Sequence, residues 1–374
     1  MNYDAELRDD PDQDTSVIRD TATSPDRRHD KSAVSRKLIA QRRLAVRSIF
    51  LPYDPQIELE DALDEMLEGA ATLREAGLPQ PAVHLLADSF SGKSTAARAY
   101  VSHVSDRCEH KTTQVPVVYA KLDTDGTVGS LATDILIALG EPRPNALTPE
   151  RRWLRAREAL RRHEVSLLIL DEFQRAGRRP TISPVIAGKI LDIMDDGDCA
   201  CAFLGKNNAI NVFNACPDLK NRLDAPVRMP PLRWTTDRSS FMAFADAFDD
   251  ALVKAGVTKF KSGLGEEETA QLLLEASNGL IGQFSRIIET AIIMITRDGN
   301  DAITRQDLED AVQEWAIGND RISYNPFIRQ VATDCRSKKP KSPDDTGREY
   351  TGSSSKGDTS ENQLNSVDND DCNA

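Results

Sequence analysis

The sequence has no apolar stretch near the roughly 20 residues that a membrane-spanning helix needs, and aromatic residues make up only 5% of it. A membrane-embedded protein is not expected. Its first residues, MNYDAELRDDPDQD, are acidic and lack the charged-then-apolar order of a secretory leader. The expected location is cytoplasmic. Cysteine is sparse, with six in 374 residues and no C-x-x-C pair, so no disulfide framework is expected. Cys199 and Cys201 stand two apart in an expected strand and share a face, but five scattered histidines supply no metal-ligand spacing. Ordinary core cysteines are the expectation. There is also no general excess of positive charge: the net charge of −13 argues against a uniformly basic nucleic-acid binder. Residues 31–49, KSAVSRKLIAQRRLAVRSI, depart from that average with six basic residues and no acidic one.

What is present is an alternation of strand-like and helix-like segments. The runs AVHLLA, VPVVYA, SLLILDE and ACAFLG, and less clearly APVRMPPL, are apolar almost throughout, as strands covered on both faces are. Between them SLATDILIALG and RRWLRAREALRRH repeat apolar residues at helical spacing. This order predicts an α/β fold with a parallel sheet. After MPPLRW the strand signals stop, and four helix-like segments follow, predicting a small all-helical lid domain. The expected organisation is therefore a disordered acidic N-terminus at 1–35, an α/β nucleotide-binding domain with a basic N-terminal helix at 36–235, a helical domain at 236–335 and a disordered tail at 336–374.

The strand AVHLLA runs into ADSFSGKST, Ala87 to Thr95, which nearly spells the phosphate-binding loop G-x-x-x-x-G-K-[ST] of P-loop NTPases. Its backbone N–H groups, from Ala87, Asp88, Ser89, Phe90, Ser91 and Gly92 onward, would surround the phosphates of ATP. Lys93 would place a cation on them, Ser94 would ligate Mg²⁺, and Thr95 would open the helix. Ala87 stands where the first glycine belongs. Its methyl is tolerable provided that φ is negative there, since only positive φ penalises a Cβ strongly. The second half of the site is expected in SLLILDEFQ, with Asp171 as a further Mg²⁺ ligand and Glu172 as general base for the attacking water. Asp-Glu after a strand is also a common helix N-cap.

Three more positions are candidates, each with a plainer alternative. Asn207, after ACAFLG, is placed to sense the γ-phosphate or simply to form a polar turn. Arg222 either reaches a neighbouring subunit's site as an arginine finger or closes a helix as a C-terminal cation. Arg286 in the helical region is either a phosphate contact or a surface arginine. For contacts with double-stranded DNA the candidates are Lys121 after a strand end, with Arg178 and Arg179 in QRAGRRP. The basic segment 31–49 and the arginine-rich helix at 151–163 are further cationic clusters, but a charge run is usually a solvated face.

In this order the motifs RRLAVRSIFLPYDP, LLADSFSGKST, LLILDEFQ, FLGKNN, CPDLKNRLDAPVRMPPLRW and SNGLIGQFSRIIETA resemble the TniB-type AAA+ ATPases that assist transposases, relatives of the TnsC-type regulators of target selection. The resemblance covers about residues 40–315. It implies ATP hydrolysis with Mg²⁺, Lys93 and Ser94 as Walker A residues, Asp171 and Glu172 as the Walker B pair, Asn207 as sensor 1, Arg222 as the finger and Arg286 as sensor 2. It further implies an ATP-dependent homo-oligomer on DNA that recruits or activates a transposase. The missing glycine puts the rate of turnover in question more than nucleotide binding. An AAA+ switch or remodelling ATPase acting on protein partners without DNA has the same motifs, since fold does not fix function.

Overall fold

Strand β3 (Leu167–Asp171) shows how the sequence builds the sheet, because all of its residues are buried. Side chains alternate between the two faces of a strand. Leu168 and Leu170 accordingly enter one core, and Leu167 and Ile169 enter the other. β4 (Ala200–Gly205) repeats the pattern, with Cys201 and Phe203 on one side and Ala200, Ala202 and Leu204 on the other. With β1 (Ala82–Leu86) and β2 (Val117–Lys121) these form a four-stranded sheet of order β1-β4-β3-β2, every pairing parallel. In this computed structural model the described residues are 26–107, 114–123 and 125–328.

One face is covered by α2 (Asp54–Glu75) and α3 (Lys93–Arg107). The other is covered by α4 (Val128–Ala138), α5 (Pro149–Arg162), α6 (Ser183–Asp195), and the short α7 (Ile210–Asn214) and α8 (Pro217–Lys220). Sequence reasoning did not single out α2 or α6. In α2, Pro55 sits in the first turn, and Leu59, Leu63, Met66 and Ala70 recur on one buried stripe. The charged residues between those positions dilute the pattern on paper. The sheet-side aromatic centre is Phe173, Phe203 and Phe213, with ring centroids 4.5–5.3 Å apart.

The weaker strand expectation, APVRMPPL, needs correction. This segment makes only one isolated parallel bridge beside β1, Val227 with Leu85, with a second just before it, Leu223 with Ala82. Pro226, Pro230 and Pro231 have no N–H to donate, so a continuous ladder cannot form there.

The helical region comprises α9 (Trp234–Lys254), α10 (Glu267–Ala276), α11 (Ile281–Asp298) and α12 (Arg305–Ala311), the last running on as a π-helical turn, Val312–Ile317. Phe241, Phe244, Phe248 and Phe284 form its aromatic centre. Gly279 fastens the region to the connecting segment: its φ is +69°, and a Cβ there would lie 2.1 Å from the Leu232 carbonyl oxygen.

The basic N-terminal helix α1 (Asp26–Ser48) packs differently from the expected domain plan. Val46 is buried in the helical region's core, with Ala45 and Ile49 beside it, and α1 lies along α11. It also begins before the boundary drawn at residue 36. The remaining parts of the expected disordered segments, and residues 329–335, lie outside the described residues. Among the described residues no single helix is long and apolar enough to cross a membrane.

Candidate nucleotide site

The phosphate-binding loop leaves β1 at its C-terminal end and turns into α3. Ala87 is not among the residues with positive φ; it is buried, and its N–H donates to Gly205 O of β4 at 3.0 Å. The methyl in place of the first glycine is therefore a packed core group. The turn is made further along, at Phe90 with φ +70° and Gly92 with φ +94°. A Cβ at Gly92 would stand 2.7 Å from Gln56 Nε2, which would have to swing aside, and the positive φ is the reason that glycine is favoured here. Gln56 donates to Gly92 O at 3.2 Å and Tyr53 to Ser91 O at 2.9 Å, bracing the loop from α2 and the residue preceding it.

Lys93 is 7% exposed, and its ammonium donates to Ala87 O at 3.2 Å and Asp88 O at 3.0 Å. Burial pushes its pKa down, while the carboxylates of Asp171 and Glu172 oppose that shift. Ser94 and Thr95 line the adjoining cleft, and Asp88 and Ser89 are exposed on the loop.

Asp171 ends β3 and is 1% exposed. Its Oδ1 accepts the Glu172 N–H at 2.7 Å, and its Oδ2 accepts the hydroxyl of Tyr119 from β2. The paired carboxylate and burial both raise the Tyr119 pKa, burial being the larger cause. Glu172 adopts a left-handed conformation, φ 60° and ψ 35°. That geometry turns the chain sharply off the strand and is uncommon for a non-glycine residue. Its Oε2 accepts from Gln174 Nε2 at 2.8 Å and pairs with Arg175 Nε at 3.4 Å. Gln174 also accepts the Lys206 N–H at 3.0 Å through Oε1, joining the Glu172 carboxylate to the end of β4. Asn207 follows there, with Nδ2 3.5 Å from Asp88 Oδ1.

The helical region closes over the loop. The N–H of Gly282, at the start of α11, donates to Phe90 O at 2.8 Å. The Phe90 ring packs edge-on to Trp315 at 6.0 Å and lies under the Arg321 guanidinium at 5.2 Å. Between loop and helices is a cleft of about 380 Å³. Lys93, Ser94 and Thr95 form one wall and Ser285 and Arg286 another, while Ile49, Phe50 and Phe248 supply apolar surface. Arg286 is thereby brought to the cleft that holds the loop, with its Nη1 donating to Glu289 at 2.9 Å.

Arg222 lies elsewhere. Its carbonyl accepts the Ala82 N–H at 3.1 Å, at the opposite end of β1 from the loop, and its guanidinium pairs with Asp195 at 2.8 Å. A strand advances roughly 3.3 Å per residue, so Arg222 is too far away to serve its own loop. Lys121 is exposed at the end of β2, in register with Asp171. The loop after it packs on the turn after β3: Arg175 Nη1 donates to Leu122 O at 2.7 Å, and a Cβ on Gly126 would meet Arg178 Cβ at 3.3 Å. Lys121, Arg178 and Arg179 consequently belong to neighbouring loops, and all three are exposed.

The other basic clusters are largely occupied within the chain. In α5, Arg155 and Arg162 pair with Glu141, and Arg157 and Arg161 pair with the buried Asp198. In α1, Arg43 and Arg47 pair with Glu289. Cys199 and Cys201 are buried and free, and the described residues include no metal-holding group of three or more His, Cys, Asp and Glu side chains. Tyr119, Gln174, Gln56 and Gly282 were not found by sequence reasoning, since each acts through a residue distant in sequence.

Among solved structures, the ORC2 protein of Aeropyrum pernix in its ADP form matches with a TM-score of 0.56 and 14% identity, over 75% of this chain and 74% of that one. Cdc6p from Pyrobaculum aerophilum matches with a TM-score of 0.53 and 20% identity, over 72% and 70%. The A. pernix ORC1 protein in complex with DNA matches with a TM-score of 0.52 and 17% identity, over 73% and 69%. At these identities the likeness establishes the fold, an AAA+ α/β domain followed by a helical domain. A comparison with curated protein sequences finds no match. The family model described as bacterial TniB protein matches residues 45–234, half of the chain and all of the strand-end motifs above. With that match, the chain belongs to the TniB family.

Proposed function

We propose that this protein is an ATP-hydrolysing regulator of transposition that assembles on double-stranded DNA and recruits or activates a transposase. The observation that carries the nucleotide half is the convergence of the buried Lys93 with Asp171 and Glu172 at the C-terminal ends of parallel strands. The family carries the transposition half.

In this reading the backbone of the loop and Lys93 bind the phosphates of ATP, Lys93 giving up its carbonyl partners at Ala87 and Asp88 to do so. Glu172, oriented by Gln174 and Arg175, accepts a proton from the attacking water. Asn207 and Arg286 approach the terminal phosphate from the β4 end and from the helical region. A carboxylate and a hydroxyl are hard oxygen donors suited to Mg²⁺, and Asp171 and Ser94 would hold that ion. Mg²⁺ supplies charge neutralisation at the phosphate oxygens. Arg222, remote from its own loop, acts in a neighbouring subunit of a homo-oligomer.

For DNA the reading assigns Lys121, Arg178 and Arg179. The support for this assignment is their exposure together on adjoining loops at the end of β2 and after β3. The test is a duplex titration at several salt concentrations with ATP present, comparing wild type with the triple alanine variant at these positions. The expected result is weaker binding and a salt slope shallower by about one unit for each DNA phosphate that the variant no longer neutralises. Unchanged affinity and slope would reject the placement.

A further inference from the structure

The basic helix α1 was the anomaly of the sequence, and two of its arginines, Arg43 and Arg47, converge on one acidic residue. Glu289 of α11 is 5% exposed and is surrounded by arginines from two helices. Arg47 engages it with both Nε and Nη2, at 2.8–3.2 Å. Arg43 Nε lies 3.0 Å from the same carboxylate, and Arg286 Nη1 donates to it at 2.9 Å. One carboxylate thus offsets one of three positive charges. The surplus faces the nucleotide cleft unevenly: Arg47 and Arg286 line it together with Lys93, and Arg43 does not. About half of the Arg47 side chain remains solvent-accessible, leaving donors for a further anion.

We propose that Arg47 is a nucleotide-contacting residue, supplied by the basic N-terminal helix, which adds a cation for the polyphosphate opposite Lys93. The inference rests on the nucleotide reading of the cleft. Glu289 acts as a positioning residue. It keeps the guanidiniums of Arg47 and Arg286 side by side, as an anion carrying several negative charges requires. Part of the basic segment 31–49 is then part of the ATP site. Docking of α1 on α11 becomes one of the conditions for nucleotide binding.

The experiment is calorimetric titration of the full chain with a non-hydrolysable ATP analogue, ADP and AMP. It compares wild type, Lys93→Ala, Arg47→Ala, Arg47→Lys and Arg43→Ala, with circular dichroism to verify folding. A hydrogen bond to a charged group, discounted for a half-exposed arginine, predicts a loss of about 5- to 10-fold for the triphosphate in Arg47→Ala. The loss should shrink from triphosphate to monophosphate and be partly restored in Arg47→Lys. Arg43→Ala, which removes an ion pair to Glu289 but no group lining the cleft, should stay within about 2-fold of wild type. Equal losses in Arg43→Ala and Arg47→Ala, or a loss independent of phosphate number, would reduce Arg47 to a docking role and overturn the proposal. Wild-type affinity in Arg47→Ala would overturn it as well. Absence of binding by wild type itself would instead refute the nucleotide reading, and Lys93→Ala provides the reference for a disabled loop.

Discussion

Replacing Gly282 with alanine tests whether the helical region closes on the phosphate loop as described. A Cβ at this position would lie 2.6 Å from the Phe90 carbonyl oxygen and 2.9 Å from its Cα. Both obstacles are backbone, so no side chain can swing aside. Overpacking of this kind costs about 1–3 kcal/mol. Displacing the loop also breaks the 2.8 Å bond from Gly282 N–H to Phe90 O, worth about 0.5–1.5 kcal/mol. Against this, alanine is better than glycine in a helix interior by up to about 1 kcal/mol, and less in the first turn, where Gly282 sits. The clash wins, with a net destabilisation of about 2 kcal/mol and a fall in Tm of roughly 4–8 °C. Because the Phe90 backbone is part of the loop, affinity for an ATP analogue should fall as well. Thermal unfolding by circular dichroism and a calorimetric titration read the two effects. A raised Tm with unchanged affinity would mean that only helix propensity mattered, and would refute the close approach.

Restoring the consensus glycine with Ala87→Gly should not improve the enzyme. It removes a buried methyl worth about 0.8 kcal/mol and adds backbone freedom costing about 0.5–1 kcal/mol, so denaturant unfolding should show a loss of about 1–2 kcal/mol. A large gain in ATP hydrolysis would show that the loop is impaired by its alanine. Arg222→Ala should leave nucleotide binding by the monomer within about 2-fold while lowering hydrolysis by at least about 10-fold, a conservative bound since such arginines contribute about 10³–10⁵ in kcat; unchanged hydrolysis at concentrations that favour assembly would remove Arg222 from the site. Asp134 in α4 has its pKa raised to about 6, chiefly by burial, so the folded state holds its proton more tightly than the unfolded chain does. Its contribution to stability is therefore full below about pH 4 and lost as pH rises through about 6. Asp134→Asn should remove this pH dependence and raise stability at pH 7 by on the order of 1 kcal/mol after discounting for partial exposure. A wild-type slope retained in the variant would assign the effect to another group.

The strands of the sheet, and the candidate groups at their ends, were legible where they lie close together in sequence. Lys93 and Ser94 follow one strand, Asp171 ends another with Glu172 just after it, and Leu167–Leu170 announce a strand buried on both faces. Ala87 was legible in its consequence: a negative φ accommodates its Cβ, and the positive φ falls on Phe90 and Gly92. Residues whose role depends on a distant partner were not legible. Tyr119 is one apolar-run residue among several until β2 pairs with β3 and brings its hydroxyl to Asp171. Gln56 is an ordinary polar residue until α2 crosses the loop. The partner of the basic segment was not legible for the same reason, since the Glu289 carboxylate that receives Arg43 and Arg47 is more than 240 residues away. APVRMPPL resembled a strand by composition, yet its prolines remove the donors a strand needs.

In the proposed function, nucleotide bound at Lys93 controls assembly on DNA. The most direct measurement is the anisotropy of a fluorescent DNA duplex titrated with the full chain in ATP, in ADP and without nucleotide, alongside Lys93→Ala in ATP. The account predicts tight, salt-sensitive binding by wild type in ATP, and weak binding in the other three conditions. Equal duplex affinity in all four would contradict it.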